Sequence, residues 1–147
     1  RSGLLLAAAV APFASAIRIV QSNDDGWAEI NARTLFNSLA AAGNDVVLSG
    51  PAENQSGTGM SACLSVSTFK THKTGAPATG ANATDPRLNY VNSYPVTSIK
   101  RGISTTGPAL WNGAAPQLAV TGPNVGQNVD VQAFFSGTIG AAVYAAH

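Results

Sequence analysis

The sequence predicts an α/β fold with a mainly parallel sheet, and three consecutive segments near its start carry that prediction. Residues 17–21 form a mostly apolar run that predicts a first strand. Residues 27–42 repeat apolar side chains at three- and four-residue spacing, which predicts an amphipathic helix. Residues 45–48 predict a second strand, ended by Gly50-Pro51. A strand, a helix and a strand at this spacing form a βαβ unit, whose two strands are parallel.

The remaining predicted elements are shorter. Three further strands are predicted, at 61–69, 88–92 and 117–121. Two further helices are predicted, at 95–104 and 139–146. Loops are predicted at polar or glycine- and proline-containing segments, namely 51–59, Gly107-Pro108, Asn112-Gly113 and 122–132. The strand at 117–121 is expected to be buried, and residues 65–86, rich in Thr, Ala, Gly and Pro, are expected to form a hairpin or surface insertion.

The composition predicts one globular domain and excludes one class of partner. The chain has 147 residues, of which 45% are hydrophobic and 10% charged. Its net charge is +1, and Lys100-Arg101 is the only pair of adjacent basic residues. Binding to a polymeric nucleic acid through many phosphates requires a basic patch, which this sequence lacks.

The first sixteen residues predict an export signal. Arg1 is followed by an apolar core at 4–10 and by the small-residue sequence Ala14-Ser15-Ala16, which is typical of a cleavage site. The alternatives are part of a buried helix or a membrane anchor, but the apolar stretch is too short for a stable helical span of a bilayer. Cleavage after residue 16 would begin the mature chain on the first strand. At the other end, His147 lies inside a helical pattern, which predicts a chain truncated at its C-terminus.

Two adjacent carboxylates follow the first predicted strand, in the segment 22–26. Asp24 and Asp25 are two of only seven acidic residues, and placing both beside a buried strand is costly unless their charge is used. Three polar loops, at 22–26, 51–59 and 122–132, follow strand-like segments and are expected to meet at the carboxyl edge of the sheet.

The side chains of these loops offer oxygen ligands to one cation. Carboxylates at Asp24 and Asp25, the hydroxyl of Ser56 and the amide of Asn124 form a set suited to Mg²⁺, Mn²⁺ or Ca²⁺. The alternative is that Asp25-Gly26 forms a turn and that Asp24 caps the following helix. Composition and spacing leave these two interpretations open.

Ser136-Gly137-Thr138 stands at the start of the last predicted helix. Hydroxyls and free backbone N–H groups at a helix start can bind an anion. The motif alone favours a simpler interpretation, in which a serine caps the helix and the glycine allows close packing.

Five segments together resemble the SurE family of survival-protein nucleotidases, and they occur in the family's order. They are 18–26, 50–57, 94–103, 121–128 and 135–142. The resemblance implies a three-layer α/β/α Rossmann-like sandwich, of which residues 17–147 are the N-terminal part. It also implies a metal-dependent phosphomonoesterase that hydrolyses nucleoside 5′- or 3′-monophosphates.

The resemblance assigns roles residue by residue. Asp24, Asp25, Ser56 and Asn124 match the family's metal ligands, and the two aspartates match its catalytic positions. Asn124, Ser136, Gly137 and Thr138 match residues that contact the phosphate. The implied cofactor is a divalent cation, and the implied partners are a small phosphomonoester and further copies of the chain in a homodimer or higher oligomer.

An export signal places the chain with the family's fungal-type branch, which is secreted or is found in the vacuole or cell wall. Two sequons for N-glycosylation, at Asn54 and Asn82, accompany that expectation, and Asn82 lies in the more polar surroundings. The competing function is a non-catalytic module that binds metal and nucleotide.

Overall fold

The computed structural model describes residues 16–61 and 77–147, and within them a five-stranded sheet has the order β3-β4-β2-β1-β5. The strands are β1 (Arg18–Ser22), β2 (Asp45–Pro51), β3 (Thr79–Ala81), β4 (Leu88–Val91) and β5 (Leu118–Thr121). Strands β4, β2, β1 and β5 are parallel, and β3 is antiparallel to β4. The predicted parallel sheet is therefore confirmed.

Helices cover both faces of this sheet. They are α1 (Ile30–Ala41), α2 (Pro95–Arg101), α3 (Gly107–Leu110), α4 (Gln132–Phe135) and α5 (Gly137–Ala146), with a π-helical turn at Gly102–Thr106 that joins α2 to α3. Because successive strand residues point to opposite faces, Ile19 packs with Phe36 of α1, whereas Val20 packs with Ile99 of α2 and Ala141 of α5. The result is the predicted three-layer α/β/α sandwich.

The first helix begins three residues later than predicted. Glu29 caps it, since the Glu29 carboxylate accepts a hydrogen bond of 2.9 Å from the backbone N–H of Ala32. Residues 27–29 belong instead to the loop after β1, which is tied to β2 by a 2.8 Å hydrogen bond from the Trp27 N–H to the Pro51 carbonyl. The alternative in which Asp24 caps this helix is therefore wrong.

At two positions where the sequence predicts the end of a strand or a helix, the element continues in the structure. Strand β2 continues through Gly50 and Pro51, because β4 pairs with it there, Gly50 opposite Tyr90. The helix predicted to stop near residue 104 continues through the π-helical turn into α3. Pro108, which has no N–H to donate, lies in the first turn of α3 directly after the π-helical turn, so the loop predicted at Gly107-Pro108 is wrong.

Strand β5 is at the edge of the described sheet, and the prediction that it is buried is wrong. Leu118 at its start is 47% exposed, and the rest of the strand is half-buried. The strand predicted at 61–69 and most of the insertion predicted at 65–86 lie outside the described residues, as does nearly all of the predicted export signal. Among the described residues, no helix combines the length and apolar character needed to cross a bilayer.

Candidate metal and phosphate site

The carboxyl ends of β1 and β5 form the point at which the strand order reverses. From β1 the chain passes through α1 to β2 on one side, and it later returns to β5 on the other side of β1. In open parallel sheets, such a reversal leaves a crevice in which ligands bind. The loops after β1, β2 and β5 and the start of α5 meet here, as the sequence predicted for the three polar loops.

Asp24 is the buried acid of the site, only 2% exposed. One of its carboxylate oxygens, Oδ1, accepts a 2.7 Å hydrogen bond from the Thr138 hydroxyl, and its backbone carbonyl accepts one of 2.6 Å from the Gln55 N–H. The same Thr138 oxygen lies 3.2 Å from Oδ1 of Asn124. Thr138 therefore stands between two predicted metal ligands, Asp24 and Asn124.

Asp25 lies nearer to the surface, and two groups hold its carboxylate. Oδ2 accepts a 2.7 Å hydrogen bond from the Val125 N–H, and Oδ1 lies 3.3 Å from the amide nitrogen of Asn54. Burial raises the pKa of Asp25, and the neighbouring charge of Asp24 raises it further, whereas the hydrogen bond from Val125 lowers it. Neither aspartate is paired with a cationic side chain of residues 16–61 or 77–147. No cationic side chain of the described residues therefore neutralises their negative charge.

The start of α5 supplies the opposite polarity. Ser136 caps the helix, since its hydroxyl oxygen accepts a 3.2 Å hydrogen bond from the Ile139 N–H. The backbone N–H groups of Gly137 and Thr138, in the first turn, have no acceptor within the helix. A Cβ at Gly137 would lie 2.9 Å from the Cβ of Asp24 and 2.7 Å from the Cγ of Pro95. The glycine therefore lets the helix start contact Asp24, and both the cap and the close packing expected of this motif are present.

An open pocket of about 250 Å³ occupies the crevice. It is lined by Asp24, Ser56, Gly57, Asn124, Val125, Gln127, Asn128, Gln132, Phe135 and Ser136. The pocket thus brings together predicted residues from all three loops and from the helix start. Asp25, Gly137 and Thr138 are joined to it through hydrogen bonds or packing rather than by lining it.

Several residues at the site were not assigned to it from the sequence. Asn54 contacts Asp25, the Val125 N–H contacts the same carboxylate, and Gln127 and Asn128 line the pocket. The contact from Val125 could not be predicted, because every residue except proline has a backbone N–H. Asn54, however, is two residues from Ser56 in a loop already assigned to the site, so its amide could have been predicted as part of the site.

The donor chemistry fits a hard divalent cation. Carboxylate, amide and hydroxyl oxygens, the ligands that such cations take, converge here. The described part of the chain has no cluster of three or more His, Cys, Asp or Glu side chains that could hold a metal, so amide and hydroxyl groups would have to complete the ligand set. The hydroxyl of Ser22 and the side-chain oxygen of Asn23, at the end of β1, are buried with no hydrogen-bond partner among the described residues.

Comparisons with known proteins identify the family of the chain. The family model described as Survival protein SurE matches residues 19–147. An acid phosphatase of Yarrowia lipolytica is 34% identical over 131 residues, which are 84% of this chain and 37% of the relative. A 5′-nucleotidase SurE of Gloeobacter violaceus is 34% identical over 129 residues, which are 86% of this chain and 44% of the relative.

A solved structure supports the fold. The SurE protein of Aquifex aeolicus superimposes with a TM-score of 0.65 at 23% identity, over 86% of this chain and 45% of that one. The chain spans less than half the length of each of these three relatives.

Proposed function

This chain belongs to the SurE family, and we propose that it carries the metal-binding and phosphate-binding residues of a phosphomonoesterase that acts on nucleoside monophosphates. The observation that carries the proposal is the pair of contacts made by the Thr138 hydroxyl, to Asp24 and to Asn124. Through them, the predicted cation ligands and the anion-binding helix start form one connected group. The names of the relatives, acid phosphatase and 5′-nucleotidase, agree with this chemistry.

The proposed reaction transfers a phosphoryl group to water: the ester P–O bond breaks, a bond forms between phosphorus and the water oxygen, and a proton from the water passes to the leaving oxygen, which gives an alcohol and inorganic phosphate. Asp24, Asp25, Ser56 and Asn124 would hold a divalent cation, which supplies charge neutralisation at the phosphate oxygens when bound. The N–H groups at the start of α5 donate to those oxygens and are aided by the helix dipole. One of the two aspartates, Asp24 or Asp25, would also orient the attacking water.

Hydrolysis of p-nitrophenyl phosphate and of adenosine monophosphate by the natural full-length protein tests this proposal. We expect turnover to be lost in EDTA and restored by Mn²⁺ or Mg²⁺. An Asp130→Asn variant, which removes an exposed carboxylate outside the proposed ligand set, should behave like the unaltered protein. Binding of nucleotide without hydrolysis would instead favour the non-catalytic module.

We further propose that the protein is exported and carries a glycan on Asn82 but not on Asn54. The side-chain oxygen of Asn82 accepts hydrogen bonds from the Thr84 hydroxyl (2.8 Å) and the Thr84 N–H (2.9 Å). Its amide nitrogen, the atom that a glycan modifies, has no hydrogen bond within the described residues, whereas that of Asn54 contacts Asp25.

Secretion from a yeast host followed by glycopeptide mass spectrometry checks this expectation. The mature chain should begin at Ile17, and Asn82→Gln should remove the glycan. A wholly intracellular product, or a glycan on Asn54 in fully active protein, would contradict the proposal.

A further inference from the structure

We propose that Asn54 is a positioning residue whose side-chain amide fixes Asp25 and Ser56, two of the predicted metal ligands, relative to each other. The inference rests on the proposed function, because it assumes that these two residues bind the cation. It concerns a residue that matches no assigned role in the site.

The two ends of one rigid group make the two contacts. The Asn54 amide nitrogen lies 3.3 Å from Oδ1 of Asp25, and its side-chain oxygen accepts a 2.8 Å hydrogen bond from the Ser56 N–H. An amide is planar, with a donor and an acceptor on the same carbon. A change at one ligand is therefore transmitted to the other through a single side chain.

Only one of these contacts is local. A bond from the N–H two residues later is the ordinary turn that asparagine forms in any loop. The bond to Asp25 spans 29 residues and joins the loop after β2 to the loop after β1. The long-range contact is therefore the part of the geometry that a local turn does not explain.

Backbone contacts already hold these two loops together, so the side chain is not needed to dock them. The Gln55 N–H bonds to the Asp24 carbonyl (2.6 Å), and the Trp27 N–H bonds to the Pro51 carbonyl (2.8 Å). Gly26 has a φ of +116°, and a Cβ there would lie 3.4 Å from the carbonyl carbon of Glu53. The role left for the Asn54 amide is to orient the Asp25 carboxylate. A carboxylate held in one orientation loses less freedom on binding a metal.

An Asn54→Ser variant of the natural full-length protein separates the two roles of the side chain. A serine hydroxyl can still accept the local turn bond, but it is too short to reach Asp25. Asn82→Ser is the matched control, since Asn82 makes the same local turn, with the Thr84 N–H at 2.9 Å, outside the site. Both variants and the unaltered protein are made in a bacterial host that adds no N-glycan, so that the control differs only at the turn. After removal of metal with EDTA, Mn²⁺ binding is measured by calorimetry, and thermal unfolding is measured without metal.

We expect Asn54→Ser to weaken Mn²⁺ binding by roughly tenfold to a hundredfold, the usual effect of removing a group that orients a ligand. Its melting temperature without metal should match that of Asn82→Ser, and its kcat at saturating Mn²⁺ should be largely retained. Unchanged Mn²⁺ affinity, or a larger loss of metal-free stability than in Asn82→Ser, would overturn this inference alone. Absence of Mn²⁺ binding by the unaltered protein would overturn the proposed function together with it.

Discussion

Replacing Asp25 with asparagine should abolish most metal-supported turnover in the full-length protein while making the metal-free fold more stable. The substitution removes one negative charge and nearly keeps the shape of the side chain. Loss of a group that only orients a metal ligand costs about 10- to 100-fold, so loss of a ligand should cost at least about 100-fold. Part of the activity should return at high Mn²⁺ concentration, because the remaining predicted ligands are unaltered.

The gain in stability follows from the direction of the pKa shift. Burial, and then the charge of Asp24, raise the pKa of Asp25 in the folded protein. The metal-free protein therefore binds this proton more tightly when folded, and its stability falls as the pH rises from the unfolded pKa through the raised folded one. Asparagine does not titrate, so the variant should escape that loss.

Thermal unfolding in EDTA across the acid to neutral range measures this difference. The melting temperature of Asp25→Asn should exceed that of the unaltered protein by a margin that grows with pH and then levels off. Asp130→Asn, an exposed position, should show no such margin. Full activity of Asp25→Asn in EDTA would show that the aspartate pair holds no metal, and a lower melting temperature at neutral pH would show that burial does not disfavour its charge.

The second large effect is expected from Gly137→Ala at the start of α5. Its Cβ would lie 2.7 Å from Pro95, 2.9 Å from Asp24 and 3.0 Å from the Thr58 hydroxyl, so the helix start must move away from β1. Overpacking of this kind costs about 1–3 kcal/mol, against a gain of up to about 1 kcal/mol from helix propensity. A displacement of about 1 Å at a catalytic group can cost about 100-fold in rate, so kcat/KM should fall further than stability alone requires.

Val143→Ala is the matched control, because Val143 lies in the same helix and is 41% exposed. Chemical denaturation and phosphatase assays on both variants give the comparison. Wild-type kcat/KM in Gly137→Ala would show that the contact between the helix start and Asp24 is not needed for catalysis.

The sequence predicts the βαβ unit well because the relevant signals are local. Periodic apolar residues define α1, and the strands on either side are short apolar runs. The start of α1 was missed because the hydrogen bond from Trp27 to Pro51 holds the preceding residues in a loop, and a tertiary contact leaves no periodic signal. The second part of the helix before β5 was missed for a related reason. Glycine and proline normally end a helix, whereas here the chain continues through a π-helical turn.

The location of the site at the sheet edge was predicted from the sequence, but the contacts between its side chains were not. Strand ends in a parallel sheet share one edge, so Asp24 and Asn124 were expected to lie near each other from topology alone. Which group each side chain contacts depends on three-dimensional packing, and the contacts of Thr138 with Asp24 and Asn124 were not predicted from the sequence. The predicted contact of Thr138 with a phosphate stays a prediction. Metal binding, the choice of substrate and assembly into an oligomer stay predictions.

The pairing of β1 with β5 also has a consequence for how the chain folds. Strand β1 meets β2 across a single helix, but it meets β5 across a long stretch of chain, as in the bond from the Arg18 N–H to Gln117, 99 positions away. Closing a long loop carries an entropic cost that a short connection avoids, so we expect β5 to dock after the β1–β2 pair has formed. The residues predicted to bind the metal and the phosphate follow both of these paired strands, β1 and β5. A cation that binds only after β1 and β5 have paired would stabilise the native state by mass action. It would thereby stabilise the strand pairing that spans the longest stretch of chain within the described sheet.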